Sequence, residues 1–213
     1  MVFNSGFVGI IIMSWIKIIS FEQATGKLAK IYQRIAGPNN NVDNILLAHS
    51  LRPHTLEGHM ALYKNVLHHN GNELDKHWLE ALGVYVSLLN QCDYCVEHHF
   101  QGYKRLLGND ALAQQIREAM ESNDLTEVFN EQENTLFSYA RRLTLTPNLV
   151  NEMDLAKMRG AGYNDGQILE VNQVVAYFNY ANRTVLGLGV SIKGDVLGLS
   201  PNDNDDPENW GHS

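Results

Sequence analysis

The two cysteines of the 213-residue chain, Cys92 and Cys95, form a Cys-x-x-Cys pair, and His99 follows four residues later. On an α-helix, offsets of three and four residues place side chains on one face. Two thiols at this spacing can close a disulfide when the first lies at a helix start, where the helix N-terminus also stabilises a thiolate. An imidazole on the same face can take or give the thiol proton. The pattern favours thiol redox chemistry.

A carboxylate, Glu80, lies twelve residues before Cys92 in an apolar run that predicts a helix. Twelve residues of continuous helix span about 18 Å, so Glu80 reaches the thiols only if the chain turns between them. Asn90 follows the apolar run, and Asn is a common cap residue. We therefore predict that the chain reverses near Asn90 and brings Glu80 within one or two hydrogen bonds of His99. The alternative is that Glu80 is a solvated helix residue.

Other roles for the cysteine pair remain open. Zinc needs about four ligands, usually in matched pairs, and Cys92, Cys95 and either His98 or His99 would leave a distant ligand to be found. The thiols could also be small buried side chains without chemistry. A thioredoxin fold needs a βαβ pattern near the motif, whereas the flanking segments have helical periodicity.

Neighbouring polar residues have structural interpretations. His98 and His99 point about 100° apart on a helix, so His98 is expected in a structural or surface role. Tyr94 is expected to pack beside the site, with proton relay as its alternative. Asn179, Asn182 and Arg183 are interpreted as structural. Three further histidines do not predict a metal site, because their spacing of five does not share a helix face: His49, His54 and His59.

A known signature matches this arrangement. The pattern E-x11-C-x-x-C-x-x-x-H of the AhpD-like alkylhydroperoxidases is matched by Glu80, Cys92, Cys95 and His99. That group belongs to the carboxymuconolactone decarboxylase-like superfamily, and the phrase LLNQCDYCVEHHF resembles its peroxidase-related branch. The resemblance extends over about residues 15–192 and includes SLRPHTLEGHMALY and VVAYFNYANR. The chain departs from the best-studied members at Tyr94, where those have His.

The resemblance implies a thiol-dependent peroxidase. Cys95 would be the attacking thiolate, Cys92 would form a disulfide with it, and Glu80 with His99 would move the proton. No metal or organic cofactor is implied, but a thiol or dithiol reductant is, and a homo-oligomer (trimer or hexamer) is expected. The alternatives are a lyase acting on a lactone acid, as carboxymuconolactone decarboxylase does, and a redox-responsive binding protein without turnover.

Helical periodicity accounts for most of the chain, so the predicted fold is all-α, a multihelical AhpD-like bundle. A shift of ninety residues lays Leu79-Glu80 on Leu169-Glu170, which would fit two related helical halves. The first predicted helix has Ser20 as its N-cap, and the last is expected to break near Asn179. The predicted helices are 20–36, 42–50, 55–68, 73–89, 92–107, 110–122, 130–144, 152–159 and 165–186.

Composition limits the remaining choices. A net charge of −8 without a basic stripe argues against nucleic acid as a partner, and one cysteine pair fits a reducing cytoplasm. The apolar residues 1–12 are too short to span a bilayer. We expect an N-terminal extension over 1–14, one helical domain over 15–199 with its thiol site in 79–107, and an acidic mobile tail over 200–213.

Overall fold

The computed structural model describes residues 13–199 and 210–212, so the expectations for residues 1–12 and 200–209 lie outside it. The predicted all-α fold is confirmed: this part of the chain contains nine α-helices and no strand. In chain order they are α1 (Gly26–Ile35), α2 (Asn44–Ala48), α3 (Pro53–Tyr63), α4 (Lys76–Leu89), α5 (Asp93–Leu107), α6 (Asp110–Ser122), α7 (Glu131–Leu145), α8 (Glu152–Gly160) and α9 (Asp165–Leu188).

Helix α4 lies at the centre of the bundle and packs against α5, α7 and α9. Every residue from 79 to 87 is buried, as expected for a helix that is apolar on all sides. Gly83 lets α9 approach closely, because a Cβ atom at that position would lie 2.2 Å from the Phe178 ring. Glu80 is thus held inside the core by the helix that is most enclosed.

The chain reverses between α4 and α5, as predicted. Asn90 caps α4, and Gln91 adopts the left-handed conformation with φ 56°. The backbone nitrogen of Cys92 donates to the carbonyl of Ser87 at 2.9 Å, which closes the turn. Helix α5 begins at Asp93 with Cys92 as its N-cap residue, so it returns along α4.

Two details of the helix prediction are wrong. Ser20 does not cap α1, which begins at Gly26 after Thr25; Gly26 has φ +57°, so the turn that follows Ser20 does not continue as helix. Helix α9 does not break at Asn179. That side chain donates to the Val175 carbonyl at 2.9 Å within the helix, so the amide is satisfied without a break.

The segment 210–212 packs against the bundle, which differs from the predicted mobile tail. Trp210 and His212 are 6% and 8% exposed. The Arg34 guanidinium lies 4.0 Å from the centroid of the Trp210 ring, a distance typical of a cation–π contact. Across the described residues, no helix has the length and apolar character needed to cross a membrane.

Candidate active site

Glu80 and His99 form the hydrogen bond that the sequence predicts. Glu80 Oε2 lies 2.8 Å from His99 Nδ1, and His68 Nε2 lies 3.9 Å from the other carboxylate oxygen. Burial acts to raise the pKa of Glu80, but the charge and hydrogen bond of His99, together with His68, lower it below its ordinary value. The carboxylate is therefore ionised at neutral pH and can orient and charge-stabilise the His99 imidazole.

The two thiols are reduced, buried and hydrogen-bonded to each other. The hydrogen bond from Cys95, helped by the Cys95 backbone, lowers the pKa of Cys92 against the opposing effect of burial. The same bond, with burial, holds the pKa of Cys95 well above its ordinary value. Of the two thiols, Cys92, at the start of α5, is therefore the one that loses its proton more readily.

Asn182 contacts the two thiols, although the sequence had indicated only a structural role for it. It is fully buried on α9, and its hydrogen bonds with Cys92 and Cys95 lower the pKa of each thiol. The amide is itself fixed: Nδ2 donates to Ser87 Oγ at 3.0 Å, and Oδ1 accepts from Asn90 at 2.9 Å. The sequence signal that could have located it is an Asn within the apolar face of a long helix.

A small cavity reaches Cys95 but not Cys92. Its volume is about 40 Å³, enough for roughly three water-sized molecules. Glu80 and His99 also line it, so the predicted acid–base pair and the second thiol share one space. Aromatic and imidazole rings make up much of the remaining wall: Tyr63, Tyr94, Tyr177, His59, His98 and His212.

A second carboxylate–imidazole pair lies on the same cavity wall. His98 Nε2 is 3.1 Å from Asp195 Oδ2, and the Tyr94 hydroxyl donates to that oxygen at 2.7 Å. Burial, followed by the charge of Asp195, raises the pKa of Tyr94 well above its ordinary value, so Tyr94 stays a proton donor. His98 is therefore buried and paired rather than a surface residue.

Of the three histidines spaced five residues apart, two lie close together in the structure and one does not. The rings of His49 and His59 lie 4.8 Å apart between centroids, while His54 is exposed. Burial lowers the pKa of His59 to about 3, so its imidazole is neutral. In the described part of the chain, no three or more His, Cys, Asp or Glu side chains are grouped to hold a metal ion.

Comparison with known proteins finds a family resemblance over part of the chain and a similar fold. Residues 53–141 match the family model described as "Carboxymuconolactone decarboxylase family". No curated protein matches the chain significantly.

Three solved structures have a similar fold. An uncharacterized peroxidase-related protein from Silicibacter sp. TM1040 is 24% identical, with a TM-score of 0.65 over 74% of this chain and 82% of that one. A protein from Ralstonia eutropha JMP134, described as an AhpD core and peroxidase-related, is 19% identical, with a TM-score of 0.71 over 85% and 93%.

The third is the debrominase Bmp8, which is 14% identical with a TM-score of 0.65 over 86% of this chain and 93% of that one. These likenesses establish the architecture. The segment 53–141, which contains the thiol pair, is thus similar to the carboxymuconolactone decarboxylase family, and the described fold is similar to that of AhpD-like proteins.

Proposed function

We propose that the protein is a thiol-dependent peroxidase that reduces hydroperoxides with the Cys92–Cys95 pair. One observation carries the proposal: a reduced dithiol opens through Cys95 into a cavity that also holds the hydrogen-bonded Glu80–His99 pair. A nucleophile beside an oriented imidazole is the arrangement that activated thiols require. The three-residue spacing of the two cysteines at the start of α5 is also the arrangement in which a redox disulfide can form.

The first step oxidises Cys95. In the proposed starting state, His99, which lies one helical turn after Cys95, holds the proton given up by Cys92, the thiol that loses its proton more readily of the two. The Cys95 proton then moves to Cys92 across the bond that joins the thiols. The Cys95 thiolate attacks the terminal peroxide oxygen, the O–O bond breaks, and the alkoxide leaves with the proton held by His99. Cys95 is left as a sulfenic acid.

The second step forms the disulfide. The Cys92 sulfur attacks the Cys95 sulfur, the S–O bond breaks, and hydroxide leaves with the Cys92 proton as water. The sum is one dithiol and one hydroperoxide converted to one disulfide, one alcohol and one water. A dithiol reductant then restores the site by exchange. A dependence on a thiol reductant is compatible with a reducing compartment, and we propose that this compartment is the cytoplasm.

We also propose that the chain assembles as a homo-oligomer, a trimer or a hexamer. Several large apolar side chains near the end of α7 and on α8 support this, because they are exposed to solvent in the single chain: Leu145, Leu149 and Met153. Light scattering at micromolar concentration should give a mass above that of one chain. A monomer alone would contradict the assembly.

The activity is tested by following peroxide consumption with dithiothreitol as the reductant. Wild type should turn over, while Cys95→Ser and Cys92→Ser should each lose turnover. His54→Gln, at an exposed position, should behave as wild type and serves as a control. A lyase would survive both cysteine substitutions. A redox-responsive binding protein would form the disulfide yet fail to consume peroxide catalytically.

A further inference from the structure

Two stretches that lie far from the thiol helix in sequence form part of the lining of the cavity beside Cys95. Gly198, Leu199 and His212 line it together with the acid–base pair. We name Gly198, Leu199 and the segment 210–212 the closing wall. None of these residues belongs to the four-residue signature, and none takes part in the proton or electron transfers of the proposed reaction.

Close backbone contacts fix one half of the closing wall. Gly198 has φ +79°, and a Cβ atom there would lie 2.7 Å from Gln101 Cβ on α5. Only glycine permits this approach. At the other side, a Cβ atom on Gly37 would lie 2.9 Å from Leu199 Cδ1. Leu199 is therefore held between α5 and the turn after α1, where it narrows the cavity.

Side-chain contacts hold the other half. Trp210 is covered by Arg34, whose guanidinium lies 4.0 Å from the ring centroid. The His212 ring stacks on Tyr63 at 6.4 Å between centroids, with an angle of 21° between the planes. Tyr63 itself lines the cavity, so Trp210 anchors a segment that places an imidazole over the route to Cys95.

These side-chain contacts leave polar atoms unsatisfied. Trp210 Nε1 and His212 Nδ1 are buried without a hydrogen-bond partner in the described part of the chain. Buried polar atoms without partners oppose the arrangement that buries them, because water would hydrogen-bond to both if the segment moved outward. The segment 210–212 is the part of the closing wall that carries this cost, whereas the α4 and α5 walls belong to the packed core.

Cavity size then discriminates between substrates. About 40 Å³ holds hydrogen peroxide or a hydroperoxide with a very small alkyl group, but not an aryl group. His212 Nδ1 is a buried imidazole nitrogen without a hydrogen-bond partner in the described part of the chain, as is His59 Nδ1 on the same cavity lining. We propose that the closing wall determines specificity: it admits hydrogen peroxide and small alkyl hydroperoxides, and excludes bulky organic hydroperoxides unless the segment 210–212 is displaced. This inference rests on the proposed peroxidase function.

The test compares kcat/KM for hydrogen peroxide and for cumene hydroperoxide in wild type, Trp210→Ala and His212→Gly. Both substitutions should raise the ratio of cumene hydroperoxide to hydrogen peroxide activity by about tenfold or more, the scale of a steric pocket effect. Matched controls at exposed positions, Trp15→Ala and His54→Gly, should leave the ratio unchanged. An unchanged ratio in both wall variants would overturn the proposal.

Alkylation of Cys95 tests the size selectivity of the closing wall independently of the proposed peroxidase activity. Wild type should react with N-ethylmaleimide much faster than with fluorescein maleimide, which carries the same reactive group on a bulkier body, and Trp210→Ala should close that difference by about tenfold. If alkylation depends on reagent size in this way but no peroxide is consumed, the proposed peroxidase activity is refuted and the proposed role of the closing wall stands. Equal reactivity with both reagents in wild type would refute the wall. Should Trp210→Ala not fold, His212→Gly, which removes only the ring over the cavity, carries both comparisons.

Discussion

Glu80 Oε2 and His99 Nδ1 lie 2.8 Å apart although 19 residues separate them in sequence. The contact exists because α4 and α5 reverse at Asn90–Gln91. A buried carboxylate beside an imidazole fixes its tautomer and raises its basicity. The pair therefore links the turn geometry to the proposed thiol chemistry.

Glu80→Gln should keep the fold and both thiols but slow peroxide turnover by about 10²-fold, because a positioned acid–base group contributes on that scale. It should also raise the apparent pKa of the reactive thiol, seen as slower alkylation at neutral pH. Glu118→Gln, at an exposed position on α6, is the control. If Glu80→Gln is alkylated and turns over peroxide at the wild-type rates, Glu80 has no role in the reaction.

Asn182→Ala should weaken the thiolate, because the amide lowers the pKa of both Cys92 and Cys95. The pH profile of iodoacetamide alkylation should shift upward, because the thiolate loses a hydrogen-bond donor. Asn172→Ala, on the same helix but bonded to Tyr139, should leave the profile in place. If wild type, Asn182→Ala and Asn172→Ala have the same alkylation pH profile, Asn182 contributes to packing alone.

Gly83→Ala should destabilise the fold by about 1–3 kcal/mol, the usual cost of overpacking a core. The new methyl group would meet the Phe178 ring at 2.2 Å, and that ring packs edge-on against His99 at 4.6 Å between centroids. Gly58→Ala is the matched control: it lies in α3 with no heavy atom within 4 Å and should gain about 0.5–1 kcal/mol. Thermal unfolding measures both, and a neutral Gly83→Ala would mean that α9 can shift away from α4.

Asp43→Asn should stabilise the protein above pH 6. Burial raises the pKa of Asp43 to about 6, against an ordinary value of 3.8, so ionisation opposes folding. The loss of folding stability caused by ionised Asp43 is absent below about pH 4, grows between pH 4 and 6, and is complete above that range. At pH 7 the gain should be about 2–3 kcal/mol.

Urea unfolding at pH 4 and pH 7 separates the two regimes. Asp124→Asn, at an exposed position, should be neutral at both. If Asp43→Asn raises the free energy of unfolding equally at pH 4 and pH 7, ionisation of Asp43 is not the cause of the stabilisation.

Local pattern explains which parts of this site were predictable. The spacing of Cys92, Cys95 and His99 and the polar break at Asn90 are features of one short stretch, so they gave the reversal and the Glu80 contact. The partner of His98 is Asp195, 97 residues away, and no local pattern specifies that pairing.

Other features depended on contacts between distant segments. Asn182 reaches the thiols only because α9 packs against α4. Trp210 and His212 lie in an acidic, polar stretch whose composition predicts mobility, and their burial depends on Arg34 and Tyr63. The start of α1 was missed because a local cap pattern at Ser20 competed with the left-handed backbone at Gly26.

The central claim is that Cys95 reduces a hydroperoxide and that Cys92 resolves the product within the same chain. The most direct measurement is a single turnover: fully reduced protein, without reductant, mixed with one equivalent of hydrogen peroxide and analysed by mass spectrometry. Wild type should lose two hydrogens per chain and carry a Cys92–Cys95 disulfide. Cys92→Ser should stop at a Cys95 sulfenic acid that dimedone traps. Unreacted Cys95, or disulfides mainly between chains, would contradict the account.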